Sequence, residues 1–209
     1  TRRDDRAVQD WMRRSVNDGD DYARRLNAIL DAALLQTTAV LTLHRRESHG
    51  PVLDGLLRAV VSAAKRLPDV TWLCPVHPTP AVRKAYASLP KTKNFRLGAP
   101  LPYLDFIRAL SSADFVVTDS GGIQEEAPTL GLRYVVLRKV TERTEGLGKW
   151  GVLAGLEPRA VERAILKVAA MPRPKPGKNP FGDGKAAART VAALKHWAGL
   201  GPRPKDFRG

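Results

Sequence analysis

Four short segments of this 209-residue chain gather side chains that could do chemistry. HRRESHG (44–50) groups an imidazole, two guanidiniums and a carboxylate, and PVHPTP (75–80) carries His77. TDSGGIQEEAPTLG (118–131) joins a hydroxyl and two glycines to two adjacent carboxylates, and RKVTERTEG (138–146) sets Arg143 between Glu142 and Glu145. His44 can donate to a phosphate or move a proton near neutral pH. Arg45 and Arg46 can neutralise an anion, with Glu47 placed to lock one of them. Ser120, Gly121 and Gly122 can cradle a phosphate or diphosphate. The glycines admit close backbone approach, and a helix starting there offers free N–H groups and a positive dipole end. The same three residues fit a plain strand-to-helix turn capped by Asp119 or Ser120. They match neither a GxGxxG nor a Walker A pattern.

Two glutamates beside an anion cradle look wrongly signed. Adjacent helical residues point about 100° apart, so only one of them can face a ligand at the helix start. Glu126, four residues past Gly122, is the candidate, accepting hydrogen bonds from a pair of sugar or ribose hydroxyls. Glu125 reads as first-turn charge or as packing. Arg143 reads either as a phosphate-facing cation steadied by its flanking carboxylates or as part of an ion-paired surface loop. His77 fits a hydrogen-bonded loop residue as readily as a ligand. No HxH, HExxH or CxxC spacing occurs, so no metal site is expected. The sole cysteine, Cys74, ends an apolar run and reads as core.

The elements that must position these groups are legible as short apolar runs at 39–43, 70–74, 94–97, 115–119 and 134–137. Helical patterns lie between them at 51–66, 80–88, 102–112 and 122–130. A further helix follows Pro158, with Val161, Ile165 and Val168 at helical spacing, and KAAARTVAALKHWAGL (185–200) reads as a terminal helix. Asp5 to Leu35 reads as two helices broken at NDGDD. Strands apolar on both faces and alternating with helices predict an α/β fold, a doubly wound parallel Rossmann-like sheet. Four of these strands deliver polar residues just past their carboxyl ends, the edge where open parallel sheets bind ligands. The chain divides into a helical lead-in (1–36), a Rossmann-like domain (37–170) and a Pro/Gly-rich basic loop with its terminal helix (171–209).

Net charge is +14, and residues 171–209 carry nine Lys/Arg against two Asp/Glu. With little aromatic interleaving, this tail signals nucleic-acid binding weakly, and the basic surface of a GC-biased or anion-handling protein is the preferred reading. No apolar run approaches the ~20 residues of a membrane span. The N-terminal residues lack the apolar stretch of a signal peptide, and a cytoplasmic location is expected.

The quoted blocks resemble the non-hydrolysing UDP-N-acetylglucosamine 2-epimerase family in order and in wording. HRRES, PVHPTP, TDSGGIQEEAPTLG, TERTEG and NPFGDGKAAART (179–190) each have a family counterpart, within a span of about residues 8 to 198. The resemblance implies the C-terminal, nucleotide-holding half of a GT-B architecture, with an N-terminal domain supplying the acidic residues that handle the C2 proton. It implies interconversion of UDP-GlcNAc and UDP-ManNAc by elimination and re-addition of UDP, without a redox cofactor or metal. Homodimers are common in the family. By position, His44 would be the active-site histidine near the diphosphate, and Ser120, Gly121, Gly122 and Arg143 would hold the nucleotide's phosphates. Glu126 would take the ribose hydroxyls. Phe106, in LPYLDFI (101–107), would lie beside uracil, whereas its own setting reads as core. The chain departs from the family at Leu101, where a Gln is usual, and at Thr144, where TERP has its proline. LGLRYV lacks the usual lysine, and TRRDD stands where TGN is expected. A GT-B relative that hydrolyses or transfers the sugar, and a non-catalytic nucleotide-sugar-binding module, are the competing functions.

Overall fold

The computed structural model describes residues 37–207 apart from Lys91, so the two helices expected between Asp5 and Leu35 lie outside the described residues. Six strands form one parallel sheet: β1 (Thr38–Thr42), β2 (Thr71–Pro75), β3 (Phe95–Gly98), β4 (Phe115–Thr118), β5 (Arg133–Val136) and β6 (Gly151–Leu153). The helices are α1 (Pro51–Arg66), α2 (Pro80–Ala87), α3 (Tyr103–Ser112), α4 (Gly121–Leu130), α5 (Pro158–Ala169) and α6 (Ala186–Trp197). The strand order is β3-β2-β1-β4-β5-β6. The chain therefore winds outward one way from β1 and the other way from β4, which is the doubly wound arrangement. Neighbouring β1 and β4 mark the switch point, where loops leave in opposite directions and open a crevice.

Side-chain alternation explains why both faces needed apolar residues. Ala39 and Leu41 of β1 join one core with Leu53, Leu56 and Leu57 of α1 and Val161 and Ile165 of α5. Val40, between them, joins a second core with Ala109 and Leu110 of α3 and Ile123 and Ala127 of α4. A strand buried on both faces must read as a continuous apolar run, and β1 is buried along its whole length. Cys74 is fully buried on β2, where burial pushes its thiol pKa up, so it is core and no nucleophile. Among the described residues, no helix is long and apolar enough to cross a membrane.

Strand β6 is an addition to the expected elements, three residues pairing with β5 through Tyr134 and Gly151, Val135 and Val152, and Val136 and Leu153. Stretch 171–184, expected as a loop, lies against the far end of α4. Arg173 donates to the carbonyls of Gly131 (3.1 Å) and Leu130 (2.9 Å), and Asn179 Nδ2 donates to the Glu125 carbonyl at 2.7 Å. Helix α4 closes on Gly131 in the left-handed region (φ 57°), and a Cβ there would sit 2.7 Å from the Pro174 carbonyl. Only glycine meets both demands.

Candidate functional site

Strand β4 ends in Thr118, Asp119 and Ser120, and α4 begins at once. The Ser120 N–H donates to the Thr118 hydroxyl at 2.9 Å, while the Ser120 side chain makes no capping hydrogen bond to the helix. Asp119 is occupied elsewhere, accepting from the backbone N–H groups of His44 and Arg45, each at 2.9 Å. The capped-turn alternative thus lacks its hydrogen bonds. Among the described residues nothing caps the first turn of α4 or pairs with the Ser120 hydroxyl, which together present the donor set that an oxyanion needs.

His44 leaves β1 across the switch point from Ser120. Its ring stacks on His77 with centroids 5.3 Å apart and planes 13° apart. The Nδ1 of His77 accepts from the Thr79 N–H at 3.3 Å and pairs with its hydroxyl at 2.8 Å, so its neutral ring carries the proton on Nε2. Burial first, and the facing imidazoles of His44 and His49 second, lower the pKa of His77. Arg45 pairs with Glu47, whose carboxyl is held low first by a backbone hydrogen bond and then by Arg45. Arg45, Arg46 and His49 share a second depression of about 500 Å³ with both stacked rings.

One cavity of about 270 Å³ is lined by six of the candidate residues: His44, His77, Phe106, Ser120, Gly122 and Glu126. Phe106 has two roles, half-buried against the second core and forming part of this wall. Glu126 lies one turn along α4, accepts from the exposed Tyr103 hydroxyl at 3.1 Å, and has its carboxyl pKa raised, chiefly by burial. A larger depression of about 1040 Å³ flanks α4 on the side of the 171–184 stretch and shares Tyr103 and Glu126 with the first. The smaller cavity is the better candidate because it holds the helix N-terminus at the sheet's carboxyl edge.

Arg143 is arranged differently from the sequence expectation. Its Nε and Nη2 both lie 2.8 Å from Glu125 Oε1, and Nη1 pairs with Glu142. The steadying carboxylate from a distance is Glu125 of α4 rather than the neighbouring Glu145. The hydrogen bond to Glu125 is the main reason that the Arg143 pKa is raised. Its guanidinium lies on Gly121, where a Cβ would come within 2.7 Å of Cζ. Gly121 makes room for Arg143, and Gly122 is the glycine that faces the cavity.

Two contributors escaped the sequence reading, and a third entered it only as a possible helix cap. Buried Gln124 donates to the Ser120 carbonyl at 3.1 Å and accepts from the Thr141 hydroxyl at 2.7 Å; that hydroxyl accepts the Arg143 N–H at 3.2 Å. This chain of bonds ties the Arg143 loop to the first turn of α4. Asp119, fully buried, is the third. A charged residue ending an otherwise apolar strand was its only signal.

A family model described as UDP-N-acetylglucosamine 2-epimerase matches residues 8–195, most of the chain. The chain belongs to this family. The UDP-N-acetylglucosamine 2-epimerase of Bacillus subtilis is 32% identical over 207 residues, covering 96% of the chain and 53% of that relative. The Escherichia coli K12 enzyme of the same name is 34% identical, covering 89% and 51%. Among solved structures, a Neisseria meningitidis UDP-GlcNAc 2-epimerase bound to UDP-GlcNAc superposes with a TM-score of 0.71 at 28% identity, over 91% of this chain and 53% of that one. A Staphylococcus aureus MnaA–UDP structure gives 0.77 at 31%, over 86% and 50%. The chain spans about half the length of the relatives that it matches.

Proposed function

We propose that this chain is the C-terminal, nucleotide-sugar-binding half of a GT-B-type UDP-GlcNAc 2-epimerase, with residues 37–170 forming the binding domain proper. The observation that carries the reading is the cavity shared by Ser120, Gly122, Glu126, Phe106 and the stacked histidines. A nucleoside diphosphate is anionic at one end and hydroxylated and aromatic at the other. The open start of α4 suits the diphosphate, Glu126 suits the ribose hydroxyls one turn, or about 5.4 Å, farther along, and Phe106 suits the base.

In the reaction proposed for the whole enzyme, the C2–H and C1–O bonds of UDP-GlcNAc break, releasing UDP and leaving 2-acetamidoglucal. UDP then adds back as a proton returns to the opposite face of C2. The residues here act at the leaving-group end: α4 and Ser120 disperse the charge that builds on the diphosphate, and His44 donates to it. The base for C2 would come from the other domain. The 209-residue chain therefore binds UDP weakly and epimerises nothing.

The test of function is product analysis with a natural protein that carries both halves. UDP-GlcNAc should give UDP-ManNAc; free ManNAc with UDP would replace this reading with hydrolysis. The division of labour within the cavity is tested separately. Glu126→Ala should weaken UDP binding about tenfold, ~1.4 kcal/mol, as expected for hydrogen bonds to a charged acceptor. Its affinity for inorganic pyrophosphate should stay unchanged. An equal loss for both ligands would take the ribose role from Glu126.

A further inference from the structure

The function proposed above makes no use of Asp119. Its carboxylate is fully buried, a costly placement unless hydrogen bonds satisfy it. One oxygen is satisfied, since Oδ2 accepts the N–H groups of His44 and Arg45 at 2.9 Å each. The other, Oδ1, has no hydrogen-bond partner among the described residues and faces the His44 ring, whose Nδ1 is 3.5 Å away. A small rotation of that ring closes the gap to an N–H···O bond, a tightening typical of sites on ligand binding. The ring is free to make it, being 36% exposed and held on its face by stacking with His77.

We infer that Asp119 is the positioning residue for His44. Oδ2 fixes the backbone where β1 ends, and Oδ1 takes the hydrogen bond from Nδ1–H. The neutral imidazole is then held as the Nδ1–H tautomer, which leaves Nε2 as the atom that takes up a proton, and the imidazolium so formed donates from Nε2 to the bound diphosphate. A carboxylate accepts only, so it selects the tautomer that presents a donor to it. The relevance of this to ligand binding rests on the proposed function; the contact itself does not.

Long-range ¹H–¹⁵N correlation spectra of the labelled chain test this, at a pH where His44 is neutral. His44 is assigned among the four histidines by the signals lost in His44→Gln. The wild type should show the Nδ1–H tautomer at His44. In Asp119→Asn the amide oxygen can still accept both backbone N–H groups, but its NH₂ would face Nδ1, so His44 should switch to Nε2–H. An Nε2–H tautomer in the wild type, or Nδ1–H retained in Asp119→Asn, would overturn the inference. If the variant fails to fold, the wild-type spectrum decides alone. An Nδ1–H wild type that binds no UDP would leave the positioning role standing and remove the proposed function.

Discussion

Gly122→Val is expected to leave the fold intact and to weaken UDP binding about a hundredfold, ~2.8 kcal/mol. A Cβ at Gly122 meets nothing nearer than the Ser120 hydroxyl at 3.9 Å, and the backbone there has no positive φ. The residue sits in the first turn of α4, where replacing glycine lowers backbone entropy in the unfolded chain and costs the helix nothing. The new methyls nevertheless enter the cavity that Gly122 lines, where the diphosphate is placed. Melting curves and calorimetric titration separate the two effects, and full UDP affinity in a folded Gly122→Val protein would remove the cradle from the account. Gly121→Ala makes the contrast. Its methyl meets the flexible end of Arg143, so it should loosen the Glu125 pair while leaving the cavity's shape unchanged.

The largest loss of stability is expected at Gly151, well away from the cavity. Tyr134 of β5 pairs with Gly151 of β6, and the tyrosine ring fills the space of the missing side chain. A Cβ at Gly151 would fall 1.9 Å from Cε2, and one at Gly146 would fall 2.0 Å from the hydroxyl. Tyr134 is fully buried and its hydroxyl has no partner among the described residues; burial pushes the phenol pKa up to about 12. Because the clashing ring is fully buried, Gly151→Ala should cost about 3 kcal/mol, the upper range for overpacking. That corresponds to a fall in Tm of roughly 6–12 °C for a domain of this size. Adding Tyr134→Leu should recover part of the loss. A Gly151→Ala melt matching wild type would contradict the packing. Because Gly146 follows Arg143 by three residues, this ring also seats the loop that brings Arg143 to α4.

The sheet was legible because its physics is local. A strand buried on both faces has to be apolar along its middle, as Ala39, Val40 and Leu41 of β1 are, and α1 shows its buried face through Leu53, Leu56, Leu57 and Val60. Strand β6 was not legible, since three residues, two of them half-exposed, establish no period. In the candidate site, strand ends and glycines pointed to His44, Ser120 and Gly122, which line one cavity, and helical geometry told Glu126 from Glu125. Pairings between distant residues stayed hidden. Arg143 looked set between Glu142 and Glu145, yet its firm partner is Glu125, 18 positions away. Asp119 receives N–H groups from the exit of β1, 75 residues earlier, and Gln124 bridges to Thr141. Such contacts are set by how β1, β4 and the 138–146 loop meet at the switch point, which no local pattern records.

In the proposed function the crevice between β1 and α4 takes a nucleoside diphosphate. Titrating UDP into the ¹⁵N-labelled chain and following its amide resonances tests it directly. Saturable shifts should centre on Ser120, Gly122, Glu126, Phe106 and the His44 strand exit, with α1 and α5 on the opposite core unaffected. Saturable shifts centred elsewhere, or none at millimolar UDP, would contradict it.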